Sequence, residues 1–186
     1  LRATGRWERS VLMVLADHGM DWSAPDQVIG LVDVLGADPL LAGSVRTAQN
    51  GGANLLYWVG DPAARLEAVA RMREVTSAVP GVAELYAGAD LGLGAAAGDL
   101  VALCDAGWRF SDPSPLSNPI PGNHGHAATV EIPFFVAGGH ASLRRGSTVS
   151  DPVRTLDVAP TVAALFGLAE PPGGWDGRAA THAFAG

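Results

Sequence analysis

The chain contains no lysine. All 12 of its cationic residues are arginine, set against 19 Asp and Glu for a formal charge of −7. An acidic chain without a basic run is poorly matched to a nucleic-acid backbone, whose recognition needs clustered positive charge, so no nucleic-acid polymer is expected as a partner. There is a single cysteine, Cys104, which excludes an internal disulfide and a cysteine-based zinc site. It stands in an apolar run, residues 99–105, and reads as a buried packing residue. No apolar run approaches the ~18 residues a membrane span requires, so no span is expected in this segment. The opening ten residues lack an initiating methionine and the apolar stretch of a signal peptide. They lead almost directly into a strand, and the chain is therefore expected to be an internal piece of a longer protein. The arginine-only, Ala- and Gly-rich composition fits the coding bias of a GC-rich bacterium and carries no mechanism.

Hydrophobic residues make up 48% of the 186, enough for one domain core, or for a core with a small inserted lobe. Residues 9–16 form a continuous apolar run that ends at Asp17-His18-Gly19. Its length and branched side chains predict a strand buried on both faces, as in a parallel sheet covered by helices. Active-site groups in such sheets gather just beyond the carboxyl ends of strands, which is where Asp17 and His18 stand. A helix-like stretch follows over 27–35. Residues 53–59 read as a strand. Asp61-Pro62 opens a helix that runs to about 79, where Pro80-Gly81 stops it. Short strands are predicted over 82–86 and 100–103, separated by a Gly/Ala-rich loop over 88–98. Residues 50–110 thus read as a β-α-β-β lobe. Residues 111–123 hold four prolines and read as a loop delivering Gly122-Asn-His-Gly-His126. A strand over 131–137, entered through Pro133, precedes a helix over 157–168. That helix is expected to be capped by Asp157 and stopped by Gly167, with Val158, Val162, Leu165 and Phe166 on its apolar side. The expected organisation is a core segment over 1–49, an inserted α+β cap lobe over 50–110, and a second core segment over 111–186.

Two places could carry chemistry. The carboxylate of Asp17 and the imidazole of His18 can both turn toward one cation where the chain leaves strand geometry, and their donors suit Zn²⁺ or a similar divalent ion. The plain alternative is a turn with a solvated carboxylate. In Gly-Asn-His-Gly-His the glycines allow close backbone approach, and His124 and His126 can either share a metal or point apart. His140 reads as exposed, His182 as part of a mobile tail, Asp157 as a helix cap rather than a ligand, and Trp58, Trp108 and Trp175 as packing residues, with Trp108 also a candidate for lining a pocket.

The order of these pieces is more informative than any one of them. A strand ending in Asp-His-Gly-Met, an insert of about a hundred residues, His-Gly before a proline-bearing strand, then Asp-Val-Ala-Pro-Thr opening an apolar helix resembles the alkaline phosphatase superfamily. The likeness is to its type I phosphodiesterase/nucleotide pyrophosphatase branch and to phosphonoacetate hydrolase, and it covers residues 9–22 and 120–178. The resemblance implies an α/β fold with a mostly parallel sheet and two divalent metal ions, usually zinc. It assigns Asp17 and His18 to one ion and His124 to the other. His126 matches no ligand of that pattern and is a candidate for contacting substrate or for supporting a ligand from behind. The implied activity is hydrolysis of small phosphate esters, phosphodiesters or pyrophosphates through a Ser or Thr nucleophile. That nucleophile, an early Asp and an Asp-x-x-x-His motif are expected outside these residues, because Ser23, Ser44 and Thr47 stand in no recognisable nucleophile context. The chain alone is therefore expected to be inactive, and a truncated sheet is expected to self-associate. The alternatives are a degenerate relative serving as a binding or structural module, or another superfamily activity. Phosphonate hydrolase, sulfatase and phosphomutase are the options, and the absence of lysine disfavours sulfatase.

Overall fold

The computed structural model of the chain describes residues 1–112 and 119–184, with the Ala95 side chain left aside. Part of the proline-rich loop expected over 111–123 therefore lies outside the described residues. In chain order the strands are β1 (Val11–Leu15), β2 (Asp21–Trp22), β3 (Val28–Ile29), β4 (Val45–Asn50), β5 (Ala53–Trp58), β6 (Val82–Ala87), β7 (Leu100–Cys104), β8 (Arg109–Phe110), β9 (Gly122–Asn123) and β10 (Phe134–Gly138). The α-helices are α1 (Leu31–Gly36), α2 (Arg65–Ser77) and α3 (Val158–Phe166). They divide between two compact units. One joins Leu1–Asp17 to Ile132–Gly186, and the other is His18–Glu131. These bounds differ from the three expected segments, because β4 begins at Val45 and the short strands β2, β3, β8 and β9 belong to the same unit as the main sheet.

The His18–Glu131 unit is built on an antiparallel sheet in the order β4-β5-β7-β6. β4 and β5 are joined by the two-residue turn Gly51-Gly52, with Gly51 at φ +60°, the first central position for which a tight hairpin turn demands glycine. Alternate residues Leu56 and Trp58 of β5, and Leu100, Ala102 and Cys104 of β7, are buried. Against this core pack Ala68 and Met72 of α2, spaced one turn apart. Each fully buried Leu or Met here contributes roughly 1.5–3 kcal/mol relative to an exposed one. The helix entry follows the expectation: Asp61 accepts a hydrogen bond from the Ala63 amide and Pro62 opens a 3-10 turn that continues into α2. The stretch over 27–35 is not one helix. Val28 and Ile29 pair in parallel with Arg109 and Phe110 before α1 starts. Burial pushes the Cys104 thiol up to about 12, and its Sγ donates to the Trp108 carbonyl at 3.2 Å, a packing residue as expected.

In the other unit β1 and β10 pair with each other, in antiparallel register with Leu12 opposite Ala137 and Val14 opposite Phe135. Two expectations are corrected here. Among the described residues the parallel pairing is confined to β3 and β8, so the mostly parallel sheet is not what they form. Nor is β1 buried on both faces, since Leu12 (46%), Val14 (48%) and Phe135 (63%) are exposed on one side of the ribbon. An apolar run reads alike in both settings. Whether a second layer covers it depends on residues that the run itself does not specify.

α3 also departs from its expected face. Pro160, Thr161 and Ala163 are buried, whereas Val162 and Phe166 are exposed. Gly167 terminates the helix in the left-handed region at φ +61°, as expected. Asp157 is buried and serves structure, though not by capping α3. Its carboxylate accepts from the Arg154 amide at 2.8 Å and the Arg178 amide at 2.9 Å, tying the tail back to the turn before the helix. Those two amides, Arg154 first, hold its carboxyl below the ordinary range.

The uncovered Leu12–Val14–Phe135 face is expected to make the 186-residue chain self-associate. Sedimentation velocity should show concentration-dependent association that Phe135→Lys weakens. A monomer unchanged over a wide concentration range would count against it.

Candidate functional site

The two-residue ladder between β2 and β9 positions the site. Asp21 lies opposite Asn123 and Trp22 opposite Gly122. Just before β2, the Gly19 amide donates to the Thr129 carbonyl at 2.7 Å. A Cβ on Gly19 would come within 3.1 Å of two carbonyl oxygens, those of Glu131 and Thr129, so the close approach needs glycine. The ladder brings His18 and His124 face to face, their ring centroids 3.7 Å apart and their planes inclined by 11°. His18 Nδ1 lies 2.8 Å from the Gly19 carbonyl. A carbonyl oxygen only accepts, so Nδ1 donates to it, the kind of outer contact that orients metal-ligating histidines.

The inner side of the same ladder is structural. Asp21 Oδ2 accepts from the Gly107 amide at 2.7 Å and lies 2.9 Å from His126 Nε2. The Gly107 amide above all, with the Trp22 amide and the His126 ring, holds the Asp21 carboxyl below its ordinary value against the opposing cost of burial. Asn123 is buried beside it. His126, read as a substrate contact or a support behind the ligands, has a side chain that is 1% exposed, with its Nε2 2.9 Å from Asp21 Oδ2, the supporting position of the two. The reason is the Gly51-Gly52 turn, which docks directly on this segment. The Gly52 amide donates to the His124 carbonyl at 2.7 Å, and a Cβ on Gly52 would sit 2.1 Å from His126 Nδ1.

The remaining candidates fall out simply. Asp17 is exposed and ends the Leu1–Asp17 segment of one unit, while its chain neighbour His18 begins the other unit. The Ser23 hydroxyl donates to the Pro121 carbonyl and the Thr47 hydroxyl to Asp112, so both are engaged in structure. Trp108 packs so tightly on Gly81 that a Cβ there would lie 2.3 Å from its ring, and Trp58 is buried. Trp175 is 37% exposed. His140 is exposed, as expected. Among the described residues no group of three or more His, Cys, Asp or Glu side chains is placed to hold a metal ion. The donors His18 and His124 suit zinc chemically, but a catalytic zinc has about three protein ligands, and two rings alone do not complete a site. The sequence reading missed Asp21 and Gly52. Asp21 looks like any surface acid, and nothing in the spacing announces a partner 105 positions away.

No family model matches the chain, and no curated protein matches it. Solved structures do. Human ectonucleotide pyrophosphatase/phosphodiesterase 5 aligns over 100% of this chain and 48% of its own, with a TM-score of 0.78 at 16% identity. The murine protein of the same name gives 0.76 at 17% identity, with the same coverage. Phosphonoacetate hydrolase from Sinorhizobium meliloti 1021, in complex with phosphonoacetate, aligns over 78% of this chain and 39% of its own, with a TM-score of 0.56 at 20% identity. These proteins are of the alkaline phosphatase superfamily, so the likeness read in the sequence is met by the fold. At such identities the likeness is one of fold, and the chain spans about half the length of the mammalian structures.

The Asp21 anchor has a measurable signature. Asp21→Ala leaves the Gly107 amide and His126 without their acceptor and is expected to cost about 1.5–3 kcal/mol at neutral pH. Because folding lowers the Asp21 pKa, its contribution is fully present above the unfolded value near 3.8 and is lost as pH falls through the lower folded value. Urea unfolding of both proteins from pH 7 to pH 2.5 should therefore show a gap that is constant at neutral pH and closes in acid. A gap that widens in acid would contradict the assignment.

Proposed function

We propose that this chain supplies metal ligands to a two-metal hydrolase that cleaves small phosphate esters, phosphodiesters or pyrophosphates. The observation that carries the reading is the stacked His18–His124 pair, in a fold like that of ectonucleotide pyrophosphatase/phosphodiesterase 5 and phosphonoacetate hydrolase. Nearly parallel rings 3.7 Å apart direct their in-plane lone pairs along separate lines. One ion does not lie in both planes, whereas two ions about 3.5–4 Å apart, the spacing of two-metal sites, can each meet one ring. Asp17 and His18 would hold one ion and His124 the other, with further ligands and the Ser or Thr nucleophile coming from outside these 186 residues. Bound divalent ions such as zinc activate an oxygen nucleophile and stabilise the leaving oxygen.

The chain's own part is to hold and orient donors. The Gly19 carbonyl, 2.8 Å from His18 Nδ1, orients the ring. The Gly52 amide holds the backbone of His124. Asp21 and His126 brace the ladder from within. Outer contacts of this kind are typically worth 10- to 100-fold in metal affinity or activity.

In the full-length protein, Asp17→Ala and His124→Ala are each expected to lower zinc-dependent hydrolysis of a nitrophenyl phosphodiester by about 100-fold or more, with unchanged circular dichroism. Chelation should abolish turnover and zinc restore it, while the 186-residue chain alone should show negligible turnover. Undiminished turnover in both variants would sink the ligand assignment. A full-length protein that binds zinc yet turns over no phosphate ester would instead indicate a binding module.

A further inference from the structure

Each of the stacked histidines is followed in the chain by a glycine, and the amides of both glycines end on one residue. The Gly19 amide donates to the main-chain carbonyl of Thr129 at 2.7 Å, and the Gly125 amide donates to the Thr129 hydroxyl at 3.1 Å. The hydroxyl has a single hydrogen, which goes to the His126 carbonyl at 2.9 Å, so a lone pair is what faces Gly125. Thr129 is buried, at 3% exposure, and these bonds are shielded from solvent. The peptide unit between His124 and Gly125 is thereby held at both edges: its carbonyl accepts from the Gly52 amide at 2.7 Å while its N–H meets Thr129. A peptide unit is planar, so two anchors on opposite edges leave it little rotation and steady the backbone that carries His124. On the His18 side the contact is as close. A Cβ on Gly19 would lie 3.2 Å from Thr129 Cα.

We propose that Thr129 is a positioning residue that sets the spacing of the His18–His124 pair, and through it the spacing of the two ions these rings would hold. The inference rests on the two-metal reading above and adds the device that keeps the two ligands in register. The carbonyl and the hydroxyl belong to one residue, so the distance between the two anchor points is bounded by bond lengths and angles and not by a chain of packing contacts. Constellations of ligands need to be held to about 0.5 Å, and a single residue bonded to both segments meets that demand. Thr129 itself touches neither ring in this role. Loss of its hydroxyl frees the Gly125 end alone, because the carbonyl that holds Gly19 is main chain and survives any substitution. Val keeps the branched shape without donor or acceptor, Ala removes the hydroxyl without adding bulk, and Ser keeps the hydroxyl.

The test has a geometric arm and a catalytic arm, both in the full-length protein. With histidine and glycine selectively labelled and no metal added, NMR should show cross-relaxation between the ring protons of His18 and His124. Thr129→Val and Thr129→Ala should lose that contact and speed amide exchange at Gly125 by about 3- to 10-fold, with Gly19 unchanged, whereas Thr129→Ser keeps both. With zinc and a nitrophenyl phosphodiester, kcat should fall about 10- to 100-fold in the Val and Ala variants, with a smaller change in KM, and the Ser variant should restore most of it. If Val and Ala keep the ring contact, or Ser does not rescue it, Thr129 does not set the spacing, whatever happens to turnover. If the rings separate and kcat is unchanged, the spacing does not matter to the site and the proposal is overturned. If the rings behave as expected but the unmodified protein has no zinc-dependent turnover, the phosphate-ester reading falls and Thr129 stands as the spacer of the histidine pair alone. Glycine signals outside the site verify folding, and the Ala variant decides if the Val variant does not fold.

Discussion

The Gly51-Gly52 turn is where the His18–Glu131 unit is knotted together. Its backbone serves three separate segments: the Gly52 amide donates to His124, the Gly52 carbonyl accepts from Cys104, and the Gly51 carbonyl accepts from Phe110. Side chains would block these approaches, since a Cβ on Gly51 would meet Asn123 at 2.6 Å and one on Gly52 would meet His126 at 2.1 Å. The turn therefore does more than reverse the chain. It sets the depth at which the 122–126 segment lies, and with it His126. Asp21 bonds to His126, β2 carries Asp21, and the stacked histidines depend on where β2 and β9 meet.

This arrangement gives the ladder two faces with different duties. Carboxylate, amide and imidazole point inward, where Asp21 finds a backbone donor and a ring nitrogen, and the pairing leaves them little freedom. The residues between them point outward, where Met20 and Trp22 lie without cover from the described residues. Within the two-residue ladder the pleat sends Asp21 and Trp22 to opposite sides.

Much of the local structure was legible in the chain, because local signals encode it. The apolar runs at 53–59, 82–86 and 100–103 are strands, Asp61-Pro62 opens the turn into a helix, and Gly167 ends one. β4 was less visible. Its sequence, Val-Arg-Thr-Ala-Gln-Asn, alternates in burial but holds little apolar content, as suits a strand at a sheet edge. The direction of β1 and β10 was misread, since an apolar pentapeptide carries no mark of whether its neighbour runs parallel or antiparallel. At the site, the histidines could be picked out by residue type, and their pairing could be reached only through the family likeness. Asp21 and Gly52 could not be found at all. Their roles come from partners brought together by the tertiary fold, and one sequence records no such partnership.

The separation along the chain also bears on how the unit assembles. The β4–β5 hairpin closes over two residues and can form within microseconds. Asp21 and His126 are 105 positions apart, and closing a flexible loop of that length costs on the order of 4 kcal/mol in chain entropy. That cost is met only once the sheet and its hairpin turn offer a surface on which the 122–126 segment can dock. The stacked histidines are thus expected to come together after the hairpin and to be among the first parts of the unit to open. Amide exchange at Gly19 and Gly52, whose hydrogen bonds hold the two histidine segments, should report openings of the site that leave β5, β7 and α2 protected.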